Sequence, residues 1–145
     1  MKLYFDTAYL AKCYWNEPDG KLVREMARQA DGLCSSAICI AEMACLAHRK
    51  IREGPTTPAD ALMRRDLFLD DVNSGTIRAM PVTERILRRV EAITRALPPS
   101  CYLRTFDALH LVTAADSGLT EIWTNDRHML AAAPHFGLVG RSVSH

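Results

Sequence analysis

Apolar residues along this chain fall into short runs alternating with longer stretches of helical spacing. Leu3-Tyr4-Phe5 predicts a short buried strand, and residues 7 to about 15 a helix that Asp6 or Thr7 can cap. Residues 18–30 carry Leu22, Val23 and Met26 at helical spacing, Leu33-Cys34-Ser35-Ser36 predicts a second strand, and residues 38–52 a long helix closed by Gly54-Pro55. Thr57-Pro58 has the form of an N-cap followed by proline at the first helical position. Leu62, Leu67, Leu69 and Val72 continue that helix to Asn73-Ser74-Gly75. Residues 76–82 alternate as a third strand. Thr83 then caps a helix with Ile86, Leu87, Val90, Ile93 and Leu97 on one face, ended by Pro98-Pro99. Residues 105–117 form a further helix of mostly small and apolar residues ending at Gly118. Residues 121–124 form a fourth strand, residues 128–133 a short helix, and Leu138-Val139 a marginal fifth strand.

Strands alternating with helices of this length predict an α/β fold, a parallel sheet of four to five strands with helices on both faces, because a parallel crossover needs a helix-sized connection. No repeat, low-complexity tract or linker interrupts the pattern, and 145 residues, 48% of them hydrophobic, suit one domain spanning residues 1–145. The net charge of +1 gives no overall pull on polyanions, so any such pull has to be local. The apolar run after Met1-Lys2 is too short for a signal peptide and no other run reaches membrane-span length, so a soluble cytoplasmic protein is expected. Five cysteines without a Cys-x-x-Cys pair, mostly among apolar residues, read as buried free thiols rather than zinc ligands or disulfides.

Four acids stand out against this pattern. In open α/β sheets ligands bind beyond the carboxyl ends of the strands, where Asp6 and Asp126 fall, although an aspartate there also caps the next helix. Glu42 shares a helix face with Ile38, Cys45 and Leu46 and has no lysine or arginine within one turn, so it needs a tertiary ion pair, a proton or a metal. Asp107 lies in the first turn of an otherwise apolar helix, where the dipole favours it. Each acid has a structural reading alone, but a convergent acidic site accounts for all four. Clustered carboxylates repel one another unless a cation intervenes, and an all-oxygen set selects Mg²⁺ or Mn²⁺, ions suited to phosphodiester hydrolysis.

The segments Phe5-Asp6-Thr7, Ser35-Ser36 followed by Glu42, Arg104-Thr105-Phe106-Asp107-Ala108-Leu109-His110, and Thr124-Asn125-Asp126 together resemble the PIN-domain ribonucleases, and within them the VapC-type toxins of bacterial toxin-antitoxin pairs. The match covers nearly the whole chain, and the third segment and the order of the acids are its most specific parts. The resemblance implies a PIN-like sheet ordered 3-2-1-4-5, Mg²⁺- or Mn²⁺-dependent cleavage of RNA and a homodimer. It also implies inhibition by a small cognate VapB-type antitoxin whose tail occupies the active-site groove. By carry-over Asp6, Glu42 and Asp107 hold the metal and its water, Asp126 completes the site, and Thr124 is a polar neighbour. Thr7, Ser36, Arg104 and His110 join Thr124 as candidates for supporting the ligands or touching substrate.

Residues 78–104 hold six arginines against Glu84 and Glu91, a local balance of +4, read either as an RNA-facing patch or as a solvated helix surface. Arg104, beside the Asp107 turn, is the stronger candidate for a phosphate contact. His110 reads as a structural histidine, with a hydrogen bond behind the acids or a general-acid role as the alternative. Tyr9, Tyr14 and Trp15 suit ordinary packing or a dimer contact as well as base stacking or the burial of an antitoxin helix. Two other functions compete. A non-catalytic module that keeps the fold and binds RNA or protein would retain RNA in Mg²⁺ without cutting it. An aspartyl-phosphate phosphotransfer enzyme would want a second aspartate two residues after Asp6, where Ala8 stands, or adjacent acids and a late strand-end lysine.

Overall fold

The structure, a computed structural model, describes residues 1–144; His145, the last residue of the expected domain, lies outside the described residues. The strands are β1 (Lys2–Tyr4), β2 (Gly32–Ser36), β3 (Ile77–Met80), β4 (Glu121–Trp123) and β5 (Val139–Arg141). The helices are α1 (Thr7–Tyr14), α2 (Gly20–Gln29), α3 (Ile38–Arg52), α4 (Pro58–Asn73), α5 (Glu84–Arg95), α6 (Thr105–Asp116) and α7 (Arg127–Ala132), with a 3₁₀ turn over Ala133–Phe136.

All the pairings are parallel. Leu3 lies opposite Leu33, Ser35 opposite Ala79, and Ile122 opposite Gly140. The two ladders, β1-β2-β3 and β4-β5, meet where Phe5 bridges Trp123 and the Asp6 N–H donates to the Trp123 carbonyl at 3.2 Å. The resulting order is β3-β2-β1-β4-β5, the order that the resemblance implies. Close packing at the β5 edge demands glycine, since a Cβ on Gly140 would meet the Leu130 side chain at 2.9 Å and its Cα at 3.1 Å.

Strand alternation divides the core into two layers. Leu3 and Phe5 join a cluster with Tyr9, Leu10, Met43 and Phe68, from α1, α3 and α4. Tyr4, between them in sequence, joins Leu111, Val112, Ile122 and Met129, from α6, β4 and α7. Burying one such side chain contributes about 1.5–3 kcal/mol, so each face has its own reason to stay closed.

Caps set the helix boundaries. The Thr57 hydroxyl accepts from the Asp60 N–H with Pro58 in the first turn, and Thr83 accepts from the Ile86 N–H. Some apolar residues expected on inner faces point outward: Leu62 and Leu67 on α4, Leu22 on α2 and Leu87 on α5 are at least half exposed. α4 carries apolar residues on two sides, and Ala61 and Phe68 are the side that packs. Tyr9 and Trp15 are core residues, and Tyr14 packs edge-on against Phe68 and donates to Asp71, so none of the three is free to stack a base. Cys34 and Cys39 are buried as expected, but Cys45 is exposed. No helix among the described residues is long and apolar enough to cross a membrane.

Candidate active site

Asp6, Glu42, Asp107 and Asp126 come from four separate segments, yet they line one cavity of about 750 Å³ together with Thr7, Arg104, Phe106 and His110. Asp6 directly follows the β1–Phe5 run and Asp126 follows β4 after two residues, while Glu42 and Asp107 come from α3 and the first turn of α6. The cavity therefore opens at the carboxyl edge of the sheet, where strand ends leave a crevice between crossovers.

Asp6 is 5% exposed and both its oxygens are engaged. Oδ1 caps α1 by accepting from the Tyr9 N–H at 2.9 Å, and Oδ2 accepts from the Thr124 hydroxyl at 2.6 Å. Burial raises its pKa above the usual carboxylate value, against the opposing pull of His110, Thr124 and the Tyr9 N–H. Asp126 similarly caps α7 through the N–H groups of His128 and Met129. Capping and site lining thus occur together at both aspartates.

Glu42 has a different environment. The Thr7 hydroxyl donates to its Oε1 at 2.6 Å, and His110 Nε2 lies 2.8 Å from the same oxygen. Burial pushes its pKa up, but the hydrogen bonds from His110 and the Thr7 hydroxyl, with the charge of Arg104, outweigh it, and the carboxyl lies below its usual range. The partner that Glu42 required is therefore an imidazole from α6, 68 residues away in sequence.

A buried chain of donors fixes that imidazole. The Ser36 N–H donates to the Tyr4 hydroxyl oxygen at 2.9 Å, which directs the hydroxyl proton to His110 Nδ1, 2.7 Å away. Nδ1 then accepts, so Nε2 carries the proton and gives it to Glu42 and Thr7. Burial holds the Tyr4 phenol well above its ordinary pKa, keeping it a neutral donor. His110 is accordingly structural and at the same time bonded to a site acid. Sequence reasoning missed Tyr4; its place on the face of β1 opposite Leu3 and Phe5 was the available signal.

Arg104 bridges two of the acids. Its Nε lies 3.2 Å from Asp107 and its Nη2 3.6 Å from Asp126, and these carboxylates raise its own pKa. Thr124 sits fully buried behind Asp6, whereas Ser36 is outside the cavity lining, its hydroxyl accepting from the Ile38 N–H. The other arginines of the 78–104 block are also absent from the lining. Arg85 and Arg89 pair with Asp116, Arg88 with Glu84 and Arg95 with Glu91. The solvated-surface reading is the one that fits them.

Among the described residues, no group of three or more acid, imidazole or thiol side chains stands close enough to grip a metal ion. The donor chemistry nevertheless fits a hard divalent cation: four carboxylates on one cavity, with a buried Asp6 that, among the described residues, forms no salt bridge to a lysine or arginine. Arg104 is the cation between Asp107 and Asp126, and its largely exposed side chain is free to withdraw.

The model of the PIN domain family matches residues 3–134, and the chain belongs to this family. Among solved structures it is similar to VapBC2 from Rickettsia felis, determined bound to a DNA fragment from their promoter, with a TM-score of 0.70, 14% identity and 98% of each chain covered. At that identity the likeness is one of fold. No curated protein matches the chain.

Proposed function

We propose that this chain is a metal-dependent endoribonuclease of the VapC type, the toxin member of a toxin-antitoxin pair, acting in the cytoplasm as a homodimer of one domain over residues 1–145. The observation that carries this reading is the convergence of Asp6, Glu42, Asp107 and Asp126 on one cavity at the carboxyl edge of a parallel sheet. Likeness of fold to a chain of the VapBC2 complex supports a VapB-type antitoxin as the partner.

Asp6, Glu42 and Asp107 would hold Mg²⁺ or Mn²⁺, with Asp126 completing the set. The bound ion supplies polarisation of a phosphoryl oxygen and a more acidic water. The protein's own part is orientation. Thr124 and the Tyr9 N–H fix the Asp6 carboxylate, and Thr7 and His110 fix Glu42. The Tyr4 hydroxyl keeps the His110 proton on Nε2, where it bonds the acid and is not free to leave. Arg104, withdrawn from Asp107 and Asp126, stands beside them to meet a phosphate.

Thermal unfolding with Mn²⁺ or EDTA, on wild type and Asp6→Asn, tests the metal site, followed by incubation with structured RNAs. An ion at a hundred times its Kd stabilises the folded state by about 2.7 kcal/mol, so the wild-type midpoint rises by several degrees and the variant loses most of the gain. If Mn²⁺ moves neither midpoint, the acids are structural and the nuclease reading falls. If Mn²⁺ binds and RNA is retained uncut, the protein is a binding module.

A further inference from the structure

The cavity continues beyond the acids along α3. Its wall carries Glu42, Cys45, Arg49 and Arg52, at intervals of three, four and three residues, which at 3.6 residues per turn is one stripe of the helix. At about 1.5 Å per residue, Arg49 stands roughly 10 Å and Arg52 roughly 15 Å beyond Glu42 along the axis.

The two arginines differ from those on α5 in their partners. Arg85, Arg88, Arg89 and Arg95 each lie within 3.5 Å of a carboxylate. Among the described residues Arg49 has no carboxylate partner, and Arg52 has only a loose contact, 3.9 Å from its neighbour Glu53. Four acids at one end of a cavity repel a polyanion, and two guanidinium groups at the other end, one unpaired and one loosely paired, attract it. Asp6 and Asp107 line the cavity with less than a tenth of their surface exposed, which favours one unpaired strand over a rigid duplex in bringing a backbone bond to them. Phe106, 54% exposed on the same cavity, presents a ring on which a base can stack.

Resting on the nuclease reading, we propose that Arg49 and Arg52 bind phosphates of a single-stranded RNA segment next to the bond to be cut, with Phe106 stacking one of its bases. The stripe gives the strand a direction, from the arginines toward the acids. It acts through substrate binding, equally in ground and transition states, and takes no part in the bond-breaking step.

The test is fluorescence anisotropy with a labelled pool of random single-stranded RNA and a duplex of equal length, in Ca²⁺ and over a range of salt. Wild type is expected to prefer the single strands. Arg49→Gln/Arg52→Gln weakens binding about tenfold or more and flattens the slope of log K against log salt by about 1.4, the share of two phosphate contacts on a single strand. Arg88→Gln, on α5, leaves both quantities unchanged. RNA also protects the exposed Cys45 thiol, midway along the stripe, from alkylation. Both arginines project from the surface, so the double variant should keep the wild-type unfolding midpoint; Arg49→Lys/Arg52→Lys, which keeps the charges, provides a second check by retaining the salt slope. Unchanged affinity and slope in the glutamine variant, equal binding of duplex, or an effect confined to an acidic protein partner overturns the proposal. The Mn²⁺ response of wild type and Asp6→Asn is independent of both arginines, so this failure is distinguishable from failure of the nuclease reading.

Discussion

α3 and α5 both carry arginines close together in sequence, but the two helices use them in opposite ways. On α5 the spacing Glu84-Arg88 and Glu91-Arg95 lets each acid meet a base four residues on, and Asp116 at the end of α6 takes Arg85 and Arg89. On α3 the single acid of the inner stripe, Glu42, bonds to His110 on another helix, and Arg49 has no such partner among the described residues. The richer cluster of charge is thus paired with nearby carboxylates, while the sparser one lines the acid cavity. Charge density in a sequence indicates a surface; whether that surface has charge to spare depends on the spacing of the opposite sign.

The comparison breaks most sharply at its acids. Glu42→Gln is expected to lower RNA cleavage by more than about a hundredfold, since even partners behind a metal ligand are worth 10–100-fold. Glu91→Gln on α5 leaves cleavage unchanged, and equal losses in a kcat/KM assay would remove the distinction. Next in size is the anchor behind α3's acid. Tyr4→Phe leaves the Ser36 N–H and His110 Nδ1 without their buried partner, a loss of about 1–3 kcal/mol in urea unfolding. A stability equal to wild type would mean that the chain from β2 to His110 is not continuous.

A smaller effect is expected at Arg104. Removing the cation that stands between Asp107 and Asp126 should tighten Mn²⁺ binding by a few fold in calorimetric titration, and weaker binding would show that the guanidinium organises the acids rather than competing with the ion. Smallest is Arg95→Gln on α5, where an exposed pair one turn apart is screened by water and the unfolding midpoint moves by less than about one degree.

The bounds of α3 and α4 were legible because their ends are local: Gly54-Pro55 after one, Thr57-Pro58 before the other. The strand order was not local, and it came from the resemblance rather than from any run of residues. Leu62 and Leu67 mark the limit of periodicity, which shows that a helix has an apolar side but cannot choose between two when Ala61 and Phe68 offer another. Among the site residues, acids at strand ends were visible because that position has chemical meaning in any parallel sheet. Tyr4, Arg49 and Arg52 were not, since their meaning depends on which residues a distant helix brings near. The block of six arginines drew attention through number alone, and of these only Arg104 reaches the acids.

The seam between the two ladders has a temporal consequence. Asp6 is held by Thr124, 118 residues further along, and the Phe5–Trp123 bridge that joins β1 to β4 spans an equal length of chain. A polypeptide emerging from the ribosome carries Asp6, Glu42 and even Asp107 well before the strand that closes the cavity around them exists. The acids are synthesised one by one, but the site assembles only once residue 126 is free to fold, so an unfinished chain carries three of the acids without the cavity that joins them.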